Sequence, residues 1–194
     1  MIPGYLGGSF DPVHLGHLSL AVEAKERFSL DKVIFVPSRF PPHKDPGGLT
    51  AYNHREKMLE LAVSGRSFFQ VADLEGQSTP SYTVDFLQRV SALHHRPCFI
   101  VGMDSLCEMH TWKEPYRIVE IARVLVGVRP GFSSEKVDKD LLSRVELFEF
   151  PGVHISSSDV RKRVEEGRCI SYLVPESVES YIRSRGLYGT EKSH

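Results

Sequence analysis

The chain has 194 residues, and its 24 lysines and arginines against 25 aspartates and glutamates give a formal net charge of −1 at pH 7. This length suits one domain with a substantial core, and the balanced charge gives no extended basic surface of the kind that binds nucleic acid. No apolar run is long enough to span a bilayer, no signal-peptide pattern is visible, and Cys98, Cys107 and Cys169 form neither a disulfide framework nor a CxxC metal pattern. We therefore expect a cytoplasmic protein that binds neither nucleic acid nor a membrane.

A glycine-rich turn with two histidines lies between the first predicted strand and the first predicted helix. Residues 7–17 read GGSFDPVHLGH, follow a short apolar run and lead into helical spacing over about residues 15–28. The two glycines let a ligand approach the backbone, and free N–H groups in the next helical turn favour an anion. His14 and His17 would share one face of that turn, which indicates phosphate chemistry. Taken alone, the histidines would also fit an ordinary strand–helix corner.

Apolar runs alternate with amphipathic stretches along the rest of the chain. Further strands are predicted at residues 32–37, 68–72, 98–102, 124–128 and 145–150, and further helices near residues 55–62, 82–93, 118–121, 158–166 and 176–184. This alternation predicts a single doubly wound parallel sheet of the α/β, Rossmann-like class, with ligands bound beyond the carboxyl ends of the strands. The domain is expected to cover residues 1–189, with residues 190–194 as a loose tail.

Three loops carry groups suited to phosphate, carboxylate or ribose. Prolines stiffen residues 37–44, where Lys44 could present its charge to phosphates. A serine or threonine within residues 79–83 is predicted to cap the helix that follows, and the start of that helix could bind a carboxylate. After the fourth predicted strand, Asp104 could accept ribose hydroxyls or could only cap the next helix. Each loop, taken alone, is also typical of a rigid or well-capped surface.

The second half of the chain adds an aromatic ring and two arginines to these candidates. Trp112 is the only tryptophan, and it could stack on a heteroaromatic base or belong to the core. Arg129 ends a predicted strand, and the serine-rich turn at residues 155–158 leads into a helix with Arg161 expected in its first turn. Hydroxyls, N–H groups and a guanidinium would converge there, as a polyphosphate requires, although a capped helix with a surface arginine would look the same.

Residues 7–17 resemble the signature of the HxGH nucleotidylyltransferases, with HLGH at residues 14–17 and Ser9 where threonine is common. From Gly4 to about Tyr188 the chain resembles one bacterial branch, the nicotinate-nucleotide adenylyltransferases. The motifs that carry this resemblance are PPHK at 41–44, SYT at 81–83, GMDS at 102–105, Trp112, RPG at 129–131, ISSSDVR at 155–161, YLVP at 172–175 and GLY at 186–188. Phe86 stands where that branch usually has a small polar residue. The resemblance implies transfer of AMP from ATP to nicotinate mononucleotide, giving deamido-NAD and pyrophosphate, in NAD biosynthesis.

The resemblance also assigns roles to individual residues. The groups expected to act directly in the transfer are His14, His17 and Arg161. The expected ATP contacts are Gly7, Gly8, Ser9, Phe10, Lys44, Gly102, Asp104, Ser105, Ile155, Ser156 and Ser157. The expected contacts of the nicotinate nucleotide are Thr83, Trp112, Lys113 and Arg129. Mg²⁺ is expected to arrive with ATP, without metal ligands or a tightly bound cofactor of the protein's own, and the resemblance is compatible with a homo-oligomer.

The implied mechanism needs no general base. The acceptor phosphate, with a second pKa near ~6, is mostly a dianion at neutral pH and would attack the α-phosphorus of ATP directly. The protein would align the two anions and offset their charge. Two alternatives stay open: a sister HxGH transferase acting on phosphopantetheine, nicotinamide mononucleotide or a choline- or glycerol-type phosphate, and a non-catalytic nucleotide sensor.

Overall fold

One six-stranded parallel sheet organises residues 2–41, 48–74, 80–129, 137–152 and 154–189, which are the residues that the computed structural model describes. Its strand order, β3-β2-β1-β4-β5-β6, confirms the predicted doubly wound, Rossmann-like class. The strands are β1 (Pro3–Gly8), β2 (Lys32–Pro37), β3 (Phe69–Val71), β4 (Cys98–Gly102), β5 (Arg123–Val128) and β6 (Glu146–Glu149). The helices are α1 (Leu15–Arg27), α2 (Tyr52–Val63), α3 (Thr83–Ser91), α4 (Met103–Glu108), α5 (Pro115–Ile121), α6 (Lys139–Leu142), α7 (Ser157–Glu165) and α8 (Glu176–Ser184).

The sheet separates two hydrophobic cores, because successive side chains of a strand point to opposite faces. On β4, for example, Ile100 belongs to one core, whereas Phe99 and Val101 belong to the other. The inner strands are buried on both faces, which explains their continuous apolar sequence. β6 lies at the edge and buries only Phe148 of its four residues, in keeping with its weaker apolar pattern.

The strand register brings the candidate loops to one edge of the sheet. Gly8 pairs with Pro37 at the end of β1 and β2, and Gly102 pairs with Gly127 near the end of β4 and β5. The strand order reverses direction between β1 and β4, where the two halves of the sheet diverge. Doubly wound sheets bind ligands at such a switch point, so a ligand site is expected here.

Local structure departs from the predictions at several helices. α4, the 3₁₀ turn Met109–Thr111 and α6 were not predicted. The predicted serine or threonine cap of α3 is wrong, because Tyr82 occupies the N-cap position without a side-chain hydrogen bond. α7 begins at Ser157, which puts Arg161 in its second turn rather than its first.

Within the described ranges no helix is both long and apolar enough to cross a membrane. The expected tail, residues 190–194, lies outside the described residues.

Candidate active site

A cavity of about 540 Å³ opens at the switch point, beyond the carboxyl ends of β1, β4 and β5. Most of the predicted site residues line it: Gly7, Gly8, Ser9, His14, His17, Gly102, Asp104, Ser105, Trp112, Arg129, Ile155, Ser156, Ser157 and Arg161. Phe10, Thr83 and Lys113 are not among its lining residues, and Lys44 lies outside the described residues. The fold thus gathers side chains from both ends of the sequence around one space.

His14 and His17 form a stacked pair at the start of α1. His14 is the N-cap residue and His17 is the third helical residue, and their ring centroids are 3.7 Å apart with an interplanar angle of 27°. Nδ1 of His17 accepts a hydrogen bond from the His14 backbone N–H at 3.2 Å. A neutral His17 therefore carries its proton on Nε2, which makes that atom a donor. Phe10 packs edge-on against the His17 ring, with ring centroids 5.0 Å apart, so it supports this histidine from a buried position.

His14 is a buried, neutral imidazole. Burial, together with the positive charge of Arg129, lowers its pKa from 6.5 to about 4, although the Asp159 carboxylate acts in the opposite direction. Its Nδ1 has no hydrogen-bond partner among the described residues and lies against Gly16, where an added Cβ would come within 3.0 Å of that nitrogen. Only Nε2 is then left to face a ligand. Before ATP binds, the neutral ring therefore offers a hydrogen bond rather than a charge.

Among the described residues, the start of α7 leaves two backbone N–H groups without an acceptor, whereas that of α1 leaves one, the N–H of Gly16. In α1, the N–H of Leu15 donates to the Leu173 carbonyl at 2.9 Å and the N–H of His17 donates to the His14 carbonyl at 3.0 Å. In α7, no acceptor for the N–H groups of Ser157 and Ser158 is found in the described part of the chain. Both serines line the cavity. The helix dipole and these two donors make the start of α7 the stronger anion site.

The hydroxyls of the serine-rich turn are engaged within the protein. Ser156 caps α7 by accepting from the Asp159 N–H at 3.1 Å, and its hydroxyl donates to the Asp159 carboxylate at 2.6 Å. Ser157 donates to the Pro12 carbonyl at 2.9 Å and fastens α7 to the turn before α1. These bonds position the helix start, so its N–H groups are better placed than its hydroxyls to receive a phosphate.

A buried carboxylate holds Arg161. Asp11 is 1% exposed, and its main-chain carbonyl accepts from Nη1 of Arg161 at 2.7 Å. The Asp11 carboxylate lies 3.9 Å from the same nitrogen and also accepts from the hydroxyl of Tyr188 at 2.7 Å and from the N–H of Thr50 at 3.3 Å. Burial and the Asp11 charge raise the pKa of Tyr188, so its hydroxyl stays a donor. One edge of the guanidinium is thus anchored while Arg161 still lines the cavity.

Some of the predicted nucleoside contacts line the cavity, whereas Thr83 and Lys113 do not. Gly102 caps α4 and Asp104 is exposed in the first turn of that helix, so Asp104 is not the cap. Trp112 lines the cavity and also packs against the core that contains Phe99 and Val101. It therefore belongs to the core and is also available for stacking on a ligand. Thr83 is the first residue of α3, and Asp85 lies in the same first turn. The Asp85 carboxylate forms an ion pair with Lys113 at 3.0 Å. The pair therefore connects the segment after Trp112 to the start of α3.

Sequence reasoning missed the residues that support this site. It gave no role to Arg55, Asp11 or Tyr188, yet Arg55 is 1% exposed and donates to four backbone carbonyls. A signal was present, because Arg55 occupies a core-facing position in the apolar spacing of its helix. A charged residue at such a position requires buried partners.

Comparisons with known proteins show the family of the chain and agree with its fold. The family described as Cytidylyltransferase-like matches residues 5–163. A protein of Desulfitobacterium hafniense (strain Y51) named "Probable nicotinate-nucleotide adenylyltransferase" is 43% identical, over 95% of this chain and 94% of its own. A protein of the same name from Desulfatibacillum aliphaticivorans is 36% identical, over 95% and 98% respectively. The solved structure titled "Plasmodium falciparum nicotinic acid mononucleotide adenylyltransferase complexed with NaAD" matches with a TM-score of 0.81 over 96% of both chains, at 24% identity, and so supports the fold.

Proposed function

The chain belongs to the Cytidylyltransferase-like family, in its nicotinate-nucleotide adenylyltransferase branch, and we propose that it transfers the adenylyl group of ATP to nicotinate mononucleotide. The products are deamido-NAD and pyrophosphate, which places the enzyme in NAD biosynthesis. The observation that carries this proposal is the convergence of the stacked histidine pair, the start of α7 and Arg161 on one cavity at the switch point. The curated relatives, which align over nearly the whole chain, support the choice of acceptor.

In this proposal the phosphates of ATP lie against α7 and the histidines. Ser157, Ser158, His17 and Arg161 all line that space, and we place their N–H, imidazole and guanidinium groups against the phosphates as donors. Donors fixed before the reaction stabilise charge that develops on the α-phosphate and on departing pyrophosphate. Ile155 and the glycine turn before α1 line the same side, and Lys44 remains a predicted ATP contact. Gly102, Asp104 and Ser105 are proposed to hold the ribose.

The acceptor is proposed to lie between Trp112, Arg129 and the start of α3. The indole ring lines the cavity and offers a flat surface on which a pyridine ring can stack. The first turn of α3, which begins at Thr83, offers N–H donors to the carboxylate of nicotinate. The acceptor's phosphate is already a nucleophile at neutral pH, so the protein's task is to hold it in line with the α-phosphorus.

Mg²⁺ enters this proposal as part of the substrate MgATP. Among the described residues, no group of three or more histidines, cysteines, aspartates and glutamates is placed to hold a metal ion. The buried Asp11 carboxylate is already engaged by Tyr188, Thr50 and Arg161. Phosphate oxygens of ATP would therefore supply most ligands of the ion, which offsets part of the phosphate charge. The cytoplasmic location, the absence of nucleic-acid partners and the 1–189 domain stay predictions from the sequence, which is also compatible with a homo-oligomer.

An acceptor screen tests the proposal. Purified protein is incubated with MgATP and one acceptor at a time, and pyrophosphate release is measured. Nicotinate mononucleotide, nicotinamide mononucleotide, phosphopantetheine and glycerol 3-phosphate are the acceptors compared. We expect the highest kcat/KM with nicotinate mononucleotide and formation of deamido-NAD in equal amount with pyrophosphate. A preference for another acceptor would assign the chain to a sister transferase, and ATP binding without turnover of any acceptor would favour a nucleotide sensor.

A further inference from the structure

Arg55 connects the segments after β1 and β2, which border the cavity, with the segment before α2. Its Nη1 donates to the carbonyls of Ser9 at 2.8 Å and Ser38 at 2.7 Å, its Nη2 donates to the Arg39 carbonyl at 3.3 Å, and its Nε donates to the Thr50 carbonyl at 2.8 Å. Ser9 follows β1, Ser38 and Arg39 follow β2, and Thr50 precedes α2. A planar guanidinium can serve carbonyls in several fixed directions at once, which the ammonium of a lysine cannot reproduce.

The same connection continues to the start of α3. The N–H of Phe40 donates to the Ser81 hydroxyl at 3.1 Å, and the N–H of Ser81 donates to the Phe40 carbonyl at 3.0 Å. Ser81 is buried and stands two residues before Thr83, the first residue of α3. A chain of hydrogen bonds therefore runs from Ser9 through Arg55 and the segment 38–40 to the helix start at which we place the acceptor.

We propose that Arg55 is a positioning residue that sets the distance between the ATP-binding loop after β1 and the acceptor-binding start of α3. This inference rests on the proposed function. In-line transfer requires the acceptor phosphate and the α-phosphorus to be held within a narrow range of distance and angle. A misplacement of about 1 Å can cost on the order of a hundredfold in rate. Each substrate touches only one end of the connection, so each can still bind when the connection is altered.

Arg55→Lys is the first test. We expect kcat to fall on the order of ten- to a hundredfold, while the dissociation constants of MgATP and nicotinate mononucleotide, measured separately by calorimetry, change less than about threefold. Arg66→Lys, at an exposed arginine just after α2, is the matched control for the substitution. Val124→Ala, in the buried first half of β5, controls for lost stability without touching the connection. A kcat within threefold of the unmodified enzyme, or a loss equal to that of an equally destabilised Val124→Ala, would overturn the inference.

Ser81→Ala provides a second test that does not disturb the buried guanidinium. It removes the Ser81 hydroxyl that accepts from Phe40, and we expect kcat to fall about three- to tenfold with substrate affinities kept. Because both residues act on the segment 38–40, the loss in Arg55→Lys/Ser81→Ala should be clearly smaller than the product of the single losses. If the loss of kcat in the double variant equals the product of the single losses, Arg55 and Ser81 do not act on the same segment. If Arg55→Lys does not fold, the kcat of Ser81→Ala alone tests the inference. An unmodified enzyme without adenylyl transfer would refute the proposed function instead.

Discussion

The buried His14 predicts a specific loss of stability in mild acid. Its folded-state pKa is about 4, whereas an unfolded chain would protonate this histidine with a pKa near 6.5. The unfolded state therefore binds a proton first as the pH falls. The stabilising contribution of the neutral ring is complete above pH 6.5 and is lost progressively between pH 6.5 and pH 4. For these two pKa values, linkage gives a loss of about 2 kcal/mol in the free energy of unfolding between pH 7.5 and pH 5.

The assay is urea unfolding of the unmodified protein and of His14→Gln at both pH values. The variant cannot titrate at this position, so it should lose about 2 kcal/mol less than the unmodified protein over the same interval. Carboxylates that titrate in this range contribute equally to both proteins and cancel in the comparison. His95→Gln, at an exposed histidine, should follow the unmodified protein. The buffers must be free of phosphate, since the site is proposed to bind phosphate groups.

Equal losses in the unmodified protein and in His14→Gln would refute the reasoning. They would mean that water or a nearby rearrangement solvates the ring when it is protonated. A larger loss in the variant would contradict even the sign of the effect. Either result would mean that His14 can carry a positive charge beside the proposed phosphate site near neutral pH.

Three further predictions concern the proposed transfer. His17→Ala should lower kcat on the order of a hundred- to a thousandfold in a folded protein, because the fixed Nε2 donor is lost; near-normal turnover would remove His17 from the machinery. Arg161→Lys should raise the KM for ATP more than the KM for nicotinate mononucleotide, because an ammonium group cannot both bond to Asp11 and reach a phosphate. Equal effects on the two KM values would make Arg161 a structural residue. The kcat/KM for nicotinate mononucleotide should exceed that for nicotinamide mononucleotide on the order of a hundredfold, because N–H donors favour a carboxylate over an amide NH₂. Thr83→Val should reduce this ratio. If the variant leaves the ratio unchanged, the carboxylate binds elsewhere.

The sequence predicted the regular part of the fold well because burial dictates it. β2, β4 and α8 have the predicted bounds, since a strand covered on both faces needs an unbroken apolar run and α8 needs an amphipathic period. The short helices α4 and α6 have six and four residues, too few for a periodic pattern to appear. At α3 the polar hydroxyl that suggested a cap is used elsewhere, because Ser81 bonds to Phe40 across the structure. Local pattern cannot reveal a partner 41 residues away.

The protonation state of His14 was also beyond the sequence. The motif shows that two imidazoles lie beside an anion site, but it does not show how deeply each ring is buried. His14 is 4% exposed and lies near Arg129, a residue 115 positions later in the chain, and both facts depend on the folded sheet. The two rings of one motif therefore differ in burial, for reasons that only packing supplies.

The chemistry of a ligand restricts which residue types can contact it, so the ligand-facing residues could be predicted from the sequence. The residues that support the site are not restricted in this way, and they were not predicted. A phosphate requires donors or cations near a helix start, so the residue types at residues 14–17 and 155–161 point to it directly. Arg55 instead serves carbonyls of Ser9, Ser38, Arg39 and Thr50, and every residue type has a carbonyl. Only the arrangement of those carbonyls makes an arginine necessary at that position. Such a residue can be recognised in a sequence when a charged side chain stands where the helix pattern requires an apolar one. Because an unpaired charge could not be buried there, a charged residue at such a position indicates a buried polar network.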